Sequence, residues 1–249
     1  MASQSRWERA QEYEASYWTQ DGKAGEMQQN APAWYGWRAE QLALKLNAAG
    51  FGHLVGGAAR VLEVGSGPIG LVRYFAGKLR VAVDPLDRTY AANPGLVSHR
   101  IPEIQYREGR GEALPCEDEA FDLVIIENCI DHVRDMDQVV RELTRVLAPG
   151  GVLYLTVNCR SRFGYYMHRL ISRVRIDPGH PHTFTPERLT AMLRRHEYAI
   201  RTLWPLSSYE KERAEDAASP ERKKRIKALL HVSEFAVAVL AQQVRLERT

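Results

Sequence analysis

The sequence predicts an α/β fold of the doubly wound kind, a mostly parallel sheet with helices on both faces. Three observations carry this. Short apolar runs alternate with helical stretches from residue 58 onward, the first run stops at a glycine turn, and a one-faced helix lies between two later runs. A chain of 249 residues, 45% hydrophobic and 26% charged, suits one globular domain over 1–249.

Residues 1–50 read as a helical cap rich in aromatics: Trp7, Tyr13, Tyr17, Trp18, Trp34, Tyr35 and Trp37. A core over 58–158 follows. Its first strand is Arg60-Val61-Leu62-Glu63-Val64, which runs into Gly65-Ser66-Gly67-Pro68-Ile69-Gly70, a GxGxxG turn expected to open a helix. Further buried strands are expected at Leu79 to Val83, Phe121 to Ile126 and Val152 to Val157. Met136, Val139, Val140, Leu143 and Leu147 keep helical spacing, and Pro149-Gly150-Gly151 is expected to end that helix. Residues 159–184 form an insertion, and 185–249 hold a C-terminal helix and strands. Thr185-Pro186-Glu187 marks the helix start, and Phe235 to Leu240 is expected to join the sheet antiparallel.

Composition narrows the classes. Cys116, Cys129 and Cys159 are an odd number without CxxC spacing, which opposes a disulfide framework or thiolate zinc site and suits a reducing cytoplasm. No apolar run reaches the ~18–20 residues of a membrane span, and the N-terminus has no apolar signal core. A net charge of +3 is too small to imply nucleic acid. Residues 160–249 nevertheless carry 18 basic and 10 acidic side chains, against 16 and 21 in the first 159.

The glycines allow a tight turn and a close ligand approach, in dinucleotide oxidoreductases and nucleoside-binding transferases alike. Glu63 separates the two. Two residues before the first glycine, a carboxylate repels a pyrophosphate but can engage an ammonium. Asp84, at the next strand's end, suits both ribose hydroxyls.

These residues resemble the class I S-adenosylmethionine-dependent methyltransferases. The likeness runs through Val61 to Gly67, Val83-Asp84, Gly111-Glu112-Ala113-Leu114-Pro115, Phe121-Asp122-Leu123-Val124, and Glu142-Leu143 to Arg145-Val146-Leu147-Ala148-Pro149-Gly150-Gly151. It implies a Rossmann-like, seven-stranded sheet and S-adenosyl-L-methionine as cofactor. Gly65, Ser66 and Gly67 would line the methionine part, and Glu63 would meet its ammonium or the loop N–H groups. Asp84 would hold the ribose, with Pro85 and Leu86 near the adenine and Gly111, Glu112 and Asn128 completing the site. The family's adenine-binding aspartate is replaced here by Arg110, which leaves that contact to Glu112 or to a backbone group.

A sulfonium donor is already activated, so the protein's main tasks are in-line positioning and exclusion of water, with a base for a hydroxyl acceptor. Within Glu127-Asn128-Cys129-Ile130-Asp131-His132-Val133, beyond the fourth strand, His132 is the candidate base and Asp131 its orienting group. The absence of prolines after Asn128 opposes nucleobase or protein-amide acceptors. His180 and His182 read as structural or rim histidines, and no metal is expected.

In the insertion, Phe163, Tyr166, Met167, Leu170, Ile171 and Val174 form an apolar stripe, with Arg160, Arg162, Arg169, Arg173 and Arg175 at the remaining positions. This predicts a lid closing with the cap over the acceptor; a contact with an anionic membrane surface stays open. Arg222-Lys223-Lys224-Arg225, among acids, reads as a solvated helix. The expected activity is O-methylation of a small molecule or glycan unit in biosynthesis. The alternatives are N- or C-methylation, a non-catalytic binding subunit of the same fold, and an oxidoreductase. Oligomeric state is not legible.

Overall fold

A computed structural model of the chain describes residues 6–171 and 182–244. In chain order these form α1 (Arg6–Trp18), α2 (Lys23–Ala48), β1 (Arg60–Val64), β2 (Leu79–Asp84), α3 (Asp87–Ala91), β3 (Gln105–Glu108), β4 (Phe121–Glu127), α4 (Met136–Val146), β5 (Leu147–Arg160), α5 (Arg162–Ile171), α6 (Pro186–Arg195), β6 (Tyr198–Pro205), α7 (Tyr209–Ala218), α8 (Arg222–Leu229) and β7 (Glu234–Gln243). The seven strands lie in the order β3-β2-β1-β4-β5-β7-β6, parallel except for β7, which runs antiparallel between β5 and β6. The expected doubly wound sheet is therefore present, and its order reverses between β1 and β4, where such sheets open a binding crevice.

One face of the sheet is covered by Val139, Val140 and Leu143 of α4 and Leu189, Met192 and Leu193 of α6. Asp135 caps α4 by accepting the Gln138 N–H at 3.0 Å. Thr185 caps α6, whose first residue is Pro186, as the sequence predicts.

The other face is covered from the chain's beginning. Met27, Ala31, Tyr35, Ala39, Leu42 and Leu46 of α2, three or four residues apart, are buried with Val61, Ala82, Leu123, Ile125 and Tyr154. This changes the glycine turn's sequel. No α-helix follows it; residues 65–78 contain one 3₁₀ turn, Leu71–Tyr74. Gly70 at φ 83°, ψ 151° lies outside helical space, the connection is short, and α2 already fills the face on which a crossover helix would pack.

A second correction concerns Pro149-Gly150-Gly151. α4 ends before it, at Val146, and β5 starts at Leu147, paired with Phe121. The three residues sit instead where the β4–β5 register shifts, with Gly150 at φ 76°.

The insertion departs furthest from expectation. Arg160 does not stand among surface charges: it is fully buried, donating to the Val232 carbonyl and pairing with Glu234. α5 buries Gly164, Tyr165 and His168, whereas Phe163, Tyr166 and Leu170 of the expected sealing stripe face solvent. Val174, Arg173 and Arg175 lie outside the described residues, as does His180. Among the described residues no helix is long and apolar enough to cross a membrane.

Candidate active site

The C-terminal ends of β1, β2 and β4 open into a cavity of about 290 Å³. Its floor is the glycine turn. Gly65 (φ 72°) donates its N–H to the Val83 carbonyl, and a Cβ there would stand 2.3 Å from the Cys129 Sγ, so no other residue fits. Gly67 (φ 61°) donates to Asp84 Oδ2 at 2.9 Å, while Leu86 N–H donates to Oδ1 at 2.8 Å. Asp84 thus ties the two loops together, and the Tyr90 hydroxyl bonds the same carboxylate. Burial pushes its carboxyl up to about 6, against the lowering effect of these backbone bonds.

Glu63 is buried under the same turn. It accepts the Val72 N–H at 2.8 Å, so it caps the 3₁₀ turn while lining the cavity; burial pushes its carboxyl up to about 8. Ser66, Pro85, Leu86, Gly111, Glu112 and Asn128 also line the cavity. Asn128 takes a left-handed conformation (φ 51°) that ends β4, its N–H bonded to the Thr156 carbonyl at 2.9 Å. Glu112 Oε1 accepts the N–H groups of Arg134 (2.7 Å) and Asp135 (3.2 Å), which gives this carboxylate a loop-fastening task within the wall.

The cap supplies the rest of the wall: Trp7, Gln11, Glu14 and Trp18 from α1, and Trp34, Tyr35 and Arg38 from α2. Arg110, at the place of the family's aspartate, stacks on Trp7 with its guanidinium carbon 4.5 Å from the ring centre. Among the described residues none of the insertion lines the cavity, whose outer wall comes from α1 and α2.

His132 lines the cavity between two carboxylates. Its Nε2 is 3.8 Å from Asp131 Oδ1, and its Nδ1 is 3.8 Å from Glu14 Oε1. Asp131 is itself buried. From behind, His182 fastens this loop: its N–H donates to the Asp131 carbonyl at 3.2 Å, and its Nε2 lies 2.8 Å from the Val133 carbonyl.

Arg38 was not singled out by the sequence. It pairs with Glu127 at the end of β4, and its guanidinium carbon lies 4.3 Å over the Trp34 ring. Burial raises the Glu127 carboxyl above the usual range despite Arg38. The available signal is Trp34-Tyr35-Gly36-Trp37-Arg38, where an arginine stands one helical turn after an aromatic pair.

Five carboxyl groups (Glu14, Glu63, Asp84, Glu112 and Glu127) face this cavity against Arg38 and Arg110. That balance fits a cation. The paired Asp84 oxygens fit a diol, and Arg38 can meet a carboxylate.

Comparison with known proteins agrees with this construction. Residues 62–155 match the family model of the methyltransferase domain. A ubiquinone/menaquinone biosynthesis C-methyltransferase of Hahella chejuensis is 33% identical over 102 residues, 38% of this chain and 41% of that protein. A mitochondrial ubiquinone biosynthesis O-methyltransferase of Rattus norvegicus is 27% identical over 158 residues, 58% of this chain and 45% of that protein. These matches span less than half the length of either relative. Among solved structures, geranyl diphosphate C-methyltransferase of Streptomyces coelicolor, with Mg²⁺, geranyl diphosphate and S-adenosyl-L-homocysteine, shares the fold at TM-score 0.57 and 15% identity. The likeness covers 81% of this chain and 80% of that one.

Proposed function

We propose that this chain, whose residues 62–155 match the methyltransferase domain, is a class I S-adenosylmethionine-dependent methyltransferase that transfers a methyl group to an oxygen of a small molecule or glycan unit. The observation that carries the reading is His132 between Asp131 and Glu14 at the cavity whose floor is the glycine turn and Asp84.

S-adenosylmethionine, when bound, supplies an electrophilic methyl on a sulfonium. The fit of the cavity to that group rests on its acidic wall, the diol-facing Asp84 and the close-approach glycines. Asp84 would hold the ribose, Pro85 and Leu86 would flank the adenine, and Gly65, Ser66 and Gly67 would line the methionine. Glu63, Arg38 and Glu127, which line the same cavity, would partner the charged ammonium and carboxylate. Trp7 and Trp18 exclude water from above.

His132 would take the acceptor's proton as the hydroxyl oxygen attacks. Asp131 and Glu14 attract the imidazolium so formed, one from the sheet and one from the cap. Glu14 thus makes the base site complete only with α1 in place.

A second reading, C-methylation of an acidic carbon, uses the same base, and its support is the activity in the name of the Hahella relative. The test is calorimetry with S-adenosylmethionine followed by methyl transfer from labelled cofactor to a panel of phenols, sugars and carbon acids. Methyl appearing on hydroxyl acceptors supports the first reading. Methyl on carbon alone selects the second. No cofactor binding removes both.

A further inference from the structure

α5 is inside out. Its inward side is Gly164, Tyr165 and His168: Gly164 lies so close to the His231 carbonyl that a Cβ would approach it to 2.7 Å, and His168 Nδ1 is 2.8 Å from the Thr183 hydroxyl. Its outward side carries Phe163 (58% exposed), Tyr166 (66%) and Leu170 (60%), which share one helix face, with the exposed Arg162 and Arg169 on that face's flank. A helix normally buries such a stripe.

The exposed face continues onto a second element. The Phe163 ring meets His231 edge-on at 6.1 Å, and His231 follows α8, where Leu229 is 76% exposed. α8 also presents Arg222, Lys223, Lys224 and Arg225 to solvent. No acidic residue occurs in the sequence from Cys159 to Ile176.

We propose that α5 and the end of α8 form a docking face for an anionic lipid bilayer. Phe163, Tyr166 and Leu170 enter the boundary between headgroups and acyl chains, while Arg162 and Arg169 hold lipid phosphates. Charge decides the occupant. A twofold dimer through this face would set its arginines against their own copies, whereas an anionic bilayer accepts both the apolar stripe and its basic flanks. This inference is independent of the acceptor.

The experiment is co-sedimentation of the whole chain with vesicles of phosphatidylcholine alone and of phosphatidylcholine mixed with phosphatidylglycerol. Binding is expected to the mixed vesicles and to weaken with added salt. The double variant Phe163→Ser/Leu170→Ser should lower the partition coefficient on the order of tenfold or more. Its affinity for S-adenosylhomocysteine should not change, because neither side chain lines the cavity, and circular dichroism should show it folded. Arg162→Gln/Arg169→Gln should lower binding and flatten its salt dependence. Absence of binding to mixed vesicles, or equal binding by the Phe163/Leu170 variant, overturns the proposal. A dimer seen by light scattering and lost in that variant overturns it also, and gives the face to a second copy.

Discussion

The Arg110 guanidinium lies 4.5 Å over the ring of Trp7, so the loop after β3 grips the first helix across the mouth of the cavity. Arg110 thereby serves as a hold on the cap. Trp18, packed edge-on to Tyr90 at 5.9 Å, fastens the other end of α1.

Trp7→Ala and Arg110→Ala should each raise amide exchange throughout α1, and the double variant should add little to either, as expected for a shared contact worth about 0.5–2 kcal/mol. Deleting residues 1–20 should keep the fold, because the contacts of α2 with the sheet are untouched, but should abolish turnover by removing Glu14 and the tryptophan roof. Full activity of the truncated chain would contradict the role given to the cap.

Asp84→Ala should weaken S-adenosylmethionine binding by about 1.5–3 kcal/mol, since a charged acceptor is lost and two loops are released from each other. Titration calorimetry checks this, with circular dichroism to show that the variant folds. Unchanged affinity would move the ribose contact elsewhere.

His132→Ala should lower turnover by ~10²–10⁴-fold with cofactor affinity nearly intact, the range for removal of a general base. A fall of less than about threefold on a hydroxyl acceptor would leave positioning alone to carry the rate.

Cofactor binding should release protons. The carboxyls of Glu63 and Asp84 are raised by burial to about 8 and about 6 in the free protein. A bound cation favours their ionised forms and lowers both values. The complex then holds fewer protons than the free protein, so affinity rises with pH over a window that reaches up to about 8 through Glu63 and up to about 6 through Asp84, each from that group's lowered value in the complex upward, by up to about one proton released per group. Calorimetry in buffers of different ionisation enthalpy measures this, and Glu63→Gln should remove the upper part of the window. Binding that is insensitive to buffer and pH there would refute the linkage.

Arg160→Met should cost about 2–4 kcal/mol in urea unfolding, because the Val232 carbonyl loses its buried donor. Lys227, 2.9 Å from Glu234, keeps that carboxylate paired and limits the loss. An unchanged midpoint would mean that the buried pair adds nothing net.

The strands β1, β2, β4, β5 and β7, the helix α4 and the glycine turn are legible in the sequence because each rests on a local pattern. An apolar run closed by Gly65, or a 3.6-residue period from Met136, needs no distant partner to be recognised. The same holds for Glu63 and Asp84, whose positions at β1 and β2 place them at one sheet edge. β3 is only four residues long, with its ends exposed, and offers no such pattern.

What tertiary structure alone decided is which surface meets which. α2 covers the sheet face that a helix after the glycine turn would take, and so brings Arg38 to Glu127 and reduces the turn's sequel to Leu71–Tyr74. Arg160 is buried because the chain entering β7 returns to its side with the Val232 carbonyl and the Glu234 carboxylate. The stripe of Phe163, Tyr166 and Leu170 has the same spacing whether it seals a pocket or faces solvent. Periodicity specifies that a helix has an apolar face, but the burial of that face is a property of its neighbours, and α5 packs through Gly164, Tyr165 and His168 instead.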